Sequence, residues 1–446
     1  MEKMGHYVIH NAKIIHVEDG SMTHGAIEIK DGYIKGIFSG ELSIPSGVRA
    51  IDIGGKYVMP GLIDMHCHIK EGDAPLFVAS GVTTVRNTAG NVIQLKDLIN
   101  APIDAPTPRI YSADRMIDGP PGLWGPTNWG NFVTDDPEAA RGEVRRQAEA
   151  GVKFIKVYGW LGKDVIEAVV KEARKYKLEV SCDLFHSSKV TALDAARVGV
   201  TWFEHAAGFV QALYPNWYTL ADKKEWDKID WEHPDEQKIV ELCKEMLSYN
   251  VKICPTMVLH DQSANLPKYW NPDNEITRFM EEEHGIGKHW SKLAEDADVY
   301  KDNLGFINNF VKTIARVYHD LGGTVVAGTD SPAAAWTYYG MALHRELELF
   351  VEIGFTELEA LQAATIHAAR SVKLENIGTI QEGYIADLVV LKDKPLASIS
   401  HTQQIDTVIK GGKFYKTDEL LKAIPSEEEQ MANFKKFEEG FEKVIV

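Results

Sequence analysis

The sequence predicts an α/β protein: a (β/α)8 TIM-type barrel plus a small β-sandwich formed by the N- and C-terminal segments. Three observations carry that expectation. Between Pro60 and Leu374, eight apolar strand-like runs alternate with helix-like stretches, the pattern of a parallel barrel whose usual size is about 250 residues with room for insertions. From Tyr7 to Tyr57 the chain is short alternating runs broken by Asp-Gly, Ser-Gly and Gly-Gly, as in hairpin strands, and the same texture returns in "GTIQEGYIADLVVLKD" and "IDTVIKGGKFY". Neither end is large enough for a good core, so the two are expected to pair. The expected division is residues 1–59 with 375–430 for the sandwich, 60–374 for the barrel, and 431–446 for a C-terminal helix.

Taken in order, the barrel runs are "GLIDMHCH", "GVTTVRNTA", "PRIYSA", "FIKVY", "EVSCDLF", "WFEHA", "KICPTMV" and "TVVAGTD". Among the segments between them, "DPEAARGEVRRQAEAG" has an acidic first turn and closes on Gly151, so a helix is expected there. The third unit is the least regular, because "MIDGPPGLWGPTNWGNFVTD" reads as a long loop. Two aromatic-rich insertions follow the sixth and seventh runs. On a barrel, loops after strand ends lie over the mouth, so these are either lids or dimer contacts. The tail "SEEEQMANFKKFEEGFEKVIV" has the pattern of an amphipathic packing helix.

Composition narrows the function. With 65 acidic against 48 basic residues the net charge is -17, which repels phosphate backbones and anionic membrane surfaces. Neither nucleic acid nor membrane is an expected partner, and a homo-oligomer stays open. The start has no apolar h-region, and no run of some 18 apolar residues occurs, so the expected location is cytoplasmic. The four cysteines, Cys67, Cys182, Cys243 and Cys254, show no CxxC pairing and are expected as reduced thiols.

Barrel enzymes place their chemistry at the C-terminal ends of strands. The first run ends in His66 and His68, which a period of two puts on one face of the strand. With 16 histidines in 446 residues an HxH triplet arises by chance in about half of such chains, so the pair alone decides nothing. The fourth run carries Lys156, the fifth ends at His186, the sixth at His205, and the eighth at Asp330. Singly, each has a plain structural reading: a snorkelling lysine, a core histidine, a turn-opening aspartate. Those readings do not predict that all six fall at or near strand ends. Imidazoles and carboxylates together are the ligand set of zinc or a similar divalent ion.

These residues sit in "VMPGLIDMHCH", "GVTTVRN", "DPEAARGEVRRQAEAGVKFIKVY", "GVTWFEHAAG", "VAGTDSP", "ALHRELELFVEIGFTELEALQAAT" and "GTIQEGYIADLVVL". Through these motifs, nearly the whole chain resembles the amidohydrolase superfamily, in the group with imidazolonepropionase-like proteins and metal-dependent prolidase-like dipeptidases. The resemblance implies two divalent metal ions, zinc first among them. His66 and His68 would bind the more buried ion, His186 and His205 the more exposed one. Lys156 would be carboxylated and bridge both, and Asp330 would be the last ligand and the proton shuttle. The implied reaction is hydrolysis of an amide bond in a dipeptide or N-acyl amino acid by a metal-bridging hydroxide. Alternatives are a mononuclear cyclic amidohydrolase or deaminase, a lactone or ester hydrolase, and, last, an inactive scaffold.

The chain departs from the family pattern in two places. Where many relatives have a histidine just after the fifth strand's apolar core, "VSCDLFH" has Asp183, which leaves Asp183 as the rival of His186. After the third strand a glycine-histidine cluster of some relatives is replaced by "GPPGLWGPTNWG". For the substrate, Tyr158 could donate to the carbonyl oxygen and His260 could reach the leaving group, against the plainer readings of a packed aromatic and a loop histidine. His284 and His289, in the charged second insertion, are expected in solvent.

Overall fold

A computed structural model describes residues 5–40, 46–295 and 297–445. Eight parallel strand positions form the barrel: β1 (Leu62–Cys67), β2 (Val82–Asn87), β3 (Arg109–Ser112), β4 (Phe154–Tyr158), β5 (Glu179–Asp183), β6 (Trp202–Glu204), β7 (Lys252–Cys254) and β8 (Thr324–Val325). Every residue of β1 and β2 is buried, as expected of strands covered on both faces. The ring closes where the chain after β8 meets β1. Met65 N–H donates to Ala327 O at 2.9 Å, Asp330 N–H to His66 O at 2.7 Å, and Cys67 forms a bridge with Ser331. Regular pairing of β8 stops at Val325 because the chain must pass hard against β1. A Cβ on Gly328 would stand 2.4 Å from Cys254 Sγ and 2.7 Å from the His66 nitrogen, so only glycine fits.

The N- and C-terminal strands of the β-sandwich form one hydrogen-bonded sheet of eight strands. Tyr57–Pro60, the last strand before the barrel, pairs antiparallel with Leu388–Leu391, so Met59 lies opposite Val389. Its core is Ile9, Ile14, Ile27, Val58, Leu388 and Ile409, all fully or almost fully buried. At 57–60 the chain passes from this sheet directly into β1, which anchors the HxH strand.

The long loop of the third unit is more regular than the sequence suggests. Met116–Asp118 and Asn131–Val133 pair in parallel, and Ile117 also pairs with Val157 of β4. The helix after it runs Pro137–Glu149, with the Asp136 carboxylate accepting the Glu138 N–H at 2.9 Å as N-cap. The C-terminal helix begins earlier than expected, at Glu427, and runs to Ile445; residue 446 lies outside the described residues. Among the described residues no helix is long and apolar enough to cross a membrane.

The second insertion packs against the loops around the first strand's end. His284 is not a solvated histidine: its Nε2 is 2.8 Å from Asp73 Oδ1 and its side chain is buried. His289 is exposed, as expected. Tyr269, from the same insertion, stacks on Trp336 after β8 with centroids 3.9 Å apart. The four cysteines are free and buried.

Candidate metal centre

The strand ends bring a set of imidazoles and carboxylates to one point. His66 Nε2 lies 3.0 Å and His68 Nε2 2.8 Å from the same oxygen, Asp330 Oδ1. His205 Nε2 stands 3.9 Å from the other oxygen, Oδ2. His66, His205 and Asp330 are buried, and ligand atoms of the three lie within 4.8 Å of one another. Donors sharing one ion at bonds of about 2 Å stand about 3 Å apart, so the residues present fit a divalent metal.

Local backbone conformation makes this convergence possible. His205 and Asp330 are left-handed, with φ of 60° and 55°, as is Thr256 after β7 at 47°. Non-glycine residues adopt this region at a cost of order 1 kcal/mol, and such strain gathers at sites where side chains must be re-aimed. The His205 ring is then fixed by Thr256 Oγ1, 2.6 Å from Nδ1, which leaves Nε2 facing inward. Asp64 ties the HxH strand to the eighth strand position: its Oδ2 accepts the Thr329 hydroxyl at 2.7 Å and its Oδ1 the His66 N–H at 3.1 Å. Burial pushes the Asp64 carboxyl up to about 7.

The electrostatics are those of a site built around charge. Burial would raise Asp330, but the fields of His66 and His205 and hydrogen bonds from His66 and His68 outweigh it and hold the carboxyl well below the usual range. Burial acts against a charged His205 and is outweighed by Asp183 and Asp330, so its pKa is raised. Burial holds His66 below the ordinary histidine value despite Asp330 and Glu204. Asp183 is lowered, burial notwithstanding, by His205 and then by Lys156.

Of the expected residues, His66, His68, His205 and Asp330 are brought together. Lys156 is buried in β4, and its charge acts on Asp183, Glu204 and His205. Tyr158 pairs in register with Asp183 across β4 and β5; burial first, then Asp183 beside it, pushes its hydroxyl well above the ordinary value. His260 is buried, donates Nδ1–H to Leu304 O at 2.8 Å, and has no hydrogen-bond partner at Nε2 among the described residues. Its ring is perpendicular to that of His205 at 6.3 Å.

Among the described residues His186 shows no direct contact with His66, His205 or Asp330, although the Asp183 charge acts on it. Its Nδ1 is 2.7 Å from Thr219 Oγ1, and its ring is stacked with Trp160. Its rival Asp183 does make such a contact: Oδ2 is 3.4 Å from His205 Nε2, while Oδ1 accepts the Phe185 N–H at 3.0 Å. The reason is register. β5 ends at Asp183, and His186 lies three residues on, in the turn closed by Ser187 N–H to Leu184 O.

Two buried charges escaped the sequence reading. Glu204, beside His205, accepts from His66 Nδ1 at 2.6 Å, Arg86 Nη1 at 2.8 Å and Ser181 Oγ at 2.5 Å. Arg86, at most 1% exposed, stacks over Phe154 and Trp202 with its guanidinium carbon 4.1 and 4.3 Å from the ring centroids. The available signal was an acid ending the short strand Trp202–Glu204 and a base within the fully buried strand Val82–Asn87.

Comparison with known proteins gives concordant matches. The amidohydrolase family profile matches residues 57–415. An adenine deaminase of Listeria monocytogenes is 35% identical over 113 residues, 22% of this chain and only 19% of that enzyme's length. An ochratoxinase of Aspergillus niger is 25% identical over 331 residues, 70% of this chain and 56% of that protein. A solved Xaa-Pro dipeptidase with methionine bound in its active site superposes with a TM-score of 0.67 at 21% identity, covering 92% of this chain and all of that one, a likeness of fold.

Proposed function

The chain belongs to the amidohydrolase family, and from that premise we propose that it is a metal-dependent hydrolase of an amide bond in a dipeptide or N-acyl amino acid. One observation carries this reading: two imidazole nitrogens, of His66 and His68, meet one buried carboxylate oxygen, Asp330 Oδ1, with His205, Asp183 and Lys156 alongside. In this reading His66, His68 and Asp330 hold one ion. Asp183, in place of His186, and His205 hold a second. Lys156, if carboxylated on Nζ by carbon dioxide with loss of a proton, would offer an anionic ligand in place of a buried cation.

Bound there, divalent ions lower the pKa of a coordinated water towards about 7 and polarise a carbonyl. The protein's own groups do the rest. Asp330, held ionised, takes the proton of the attacking water and passes it to the leaving nitrogen. Tyr158, whose hydroxyl stays protonated, donates to the carbonyl oxygen as charge develops on it. His260 spends its only N–H on Leu304, so its bare Nε2 accepts a hydrogen bond from the substrate. Release of free amino acid from a panel of dipeptides and N-acyl amino acids by metal-replete protein tests the reading; no release across the panel contradicts it.

A second reading is a one-metal deaminase or cyclic amidohydrolase. The close triad His66, His205 and Asp330 favours it, being by itself enough for one ion. Here Lys156 is structural. About one zinc per active chain supports this reading, and about two supports the first.

A further inference from the structure

Glu204 lies behind the metal centre, fully buried, and its two oxygens have different partners. Oε1 accepts from Arg86 Nη1 at 2.8 Å and from Ser181 Oγ at 2.5 Å. Among the described residues the hydrogen-bond partner of Oε2 is His66 Nδ1, at 2.6 Å. A carboxylate kept only to neutralise Arg86 has no need to turn its second oxygen onto a histidine. Arg86 is itself fixed, by stacking on Phe154 and Trp202 and by donating to Met65 O at 3.1 Å. Met65 directly precedes His66, so the same guanidinium steadies the HxH strand and the acid behind it. Cys254 Sγ also stands near His66 and Glu204, but with Arg86 already on Glu204 this group is a hydrogen-bonded support.

A carboxylate facing a guanidinium can only accept, so the hydrogen on the short contact belongs to His66 Nδ1. That leaves Nε2, the nitrogen facing Asp330, as the one that gives up its proton to become the ligand atom when a metal binds. We propose that Glu204 is a positioning residue, which with Arg86 locks the His66 ring in the tautomer and orientation that ligate a metal at Nε2. The inference rests on the reading of His66 as a ligand. A histidine ligand's other N–H given to a carboxylate raises its basicity, and losing that partner costs about 10–100-fold in metal affinity.

The test is zinc affinity of the full chain, measured by competition with a chromogenic chelator, alongside far-UV circular dichroism and the visible spectrum of the cobalt-substituted protein. E204Q is expected to bind zinc about 10–100-fold more weakly and to shift the cobalt spectrum, with helix content unchanged. Because E204Q leaves Arg86 without its counter-charge, E204Q/R86M is measured in parallel and is expected to show the same loss. R86K, which keeps a cation on Oε1 and leaves Oε2 on His66, is expected to stay within about threefold of wild type. Zinc affinity within twofold of wild type in folded E204Q or E204Q/R86M overturns the proposal, as does a loss in R86K equal to that in E204Q. A wild-type chain that takes up no zinc overturns instead the reading of the centre itself.

Discussion

Two buried charged clusters of this molecule are built from similar residues and end differently. On the helix Pro137–Glu149, Glu143 takes a two-pronged contact from Arg115, with Nε to Oε1 and Nη2 to Oε2 both at 2.8 Å. Arg146 bridges Glu143 and Asp114. Every carboxylate there faces a guanidinium, so the cluster closes on itself and needs nothing further. At the barrel mouth, by contrast, the Asp330 carboxylate faces histidines that must be neutral to act as ligands, and Asp183 shares His205 with it. Buried charge that is matched within the protein is architecture; buried donor atoms that converge on each other can take up a cation from outside.

The largest effect expected from breaking this contrast is at Asp330. D330N keeps the shape but removes the carboxylate proposed to accept the proton and hold a metal, so turnover is expected to fall about 10²–10⁴-fold with the fold retained, by initial rates and circular dichroism. Near-wild-type turnover would remove Asp330 from the chemistry. In the matched cluster the loss should appear as stability instead. R115M strips one guanidinium from Glu143 and is expected to lower unfolding free energy by on the order of 3 kcal/mol in urea titrations, with metal content unchanged.

A smaller effect sharpens the assignment at β5. H186A removes a ring engaged with Thr219 and Trp160, and its activity is expected to stay within about tenfold of wild type, well above that of D183A. The smallest concerns His344, which is remote from the mouth. It is buried between Ser80 O and Thr402 Oγ1, and burial lowers its pKa from 6.5 to about 4. Between those values the unfolded chain takes up a proton that the folded chain refuses, so this group lowers stability as the pH falls from 6.5 towards 4 and has no effect above 6.5. The melting temperature of H344Q is expected to fall less than that of wild type between pH 7.5 and 5; equal falls would contradict the assignment.

Much of the fold was legible because strands covered on both faces are continuous apolar runs, and the charged residue that ends such a run stands out. That is how His66, His68, His205 and Asp330 could be named. Between His186 and Asp183 the sequence could not choose, because register decides which residue of a strand points into the barrel. Tyr158 pairs with Asp183, so the strand is over three residues before His186. Glu204 and Arg86 were missed for a different reason. Each is a single charge beside residues with plainer roles, and their partnership spans 118 positions of sequence. The parallel pair within the third loop was hidden by its glycines and prolines, which signal turns more strongly than three-residue strands signal pairing.

The proposed centre has two metal positions, with Asp183 holding the outer one. Metal content per folded chain, by mass spectrometry on wild type, D183A and H186A reconstituted with zinc, tests it directly. The expected values are about two ions in wild type and H186A and about one in D183A. About one ion in active wild type, or a loss in H186A with none in D183A, would contradict it.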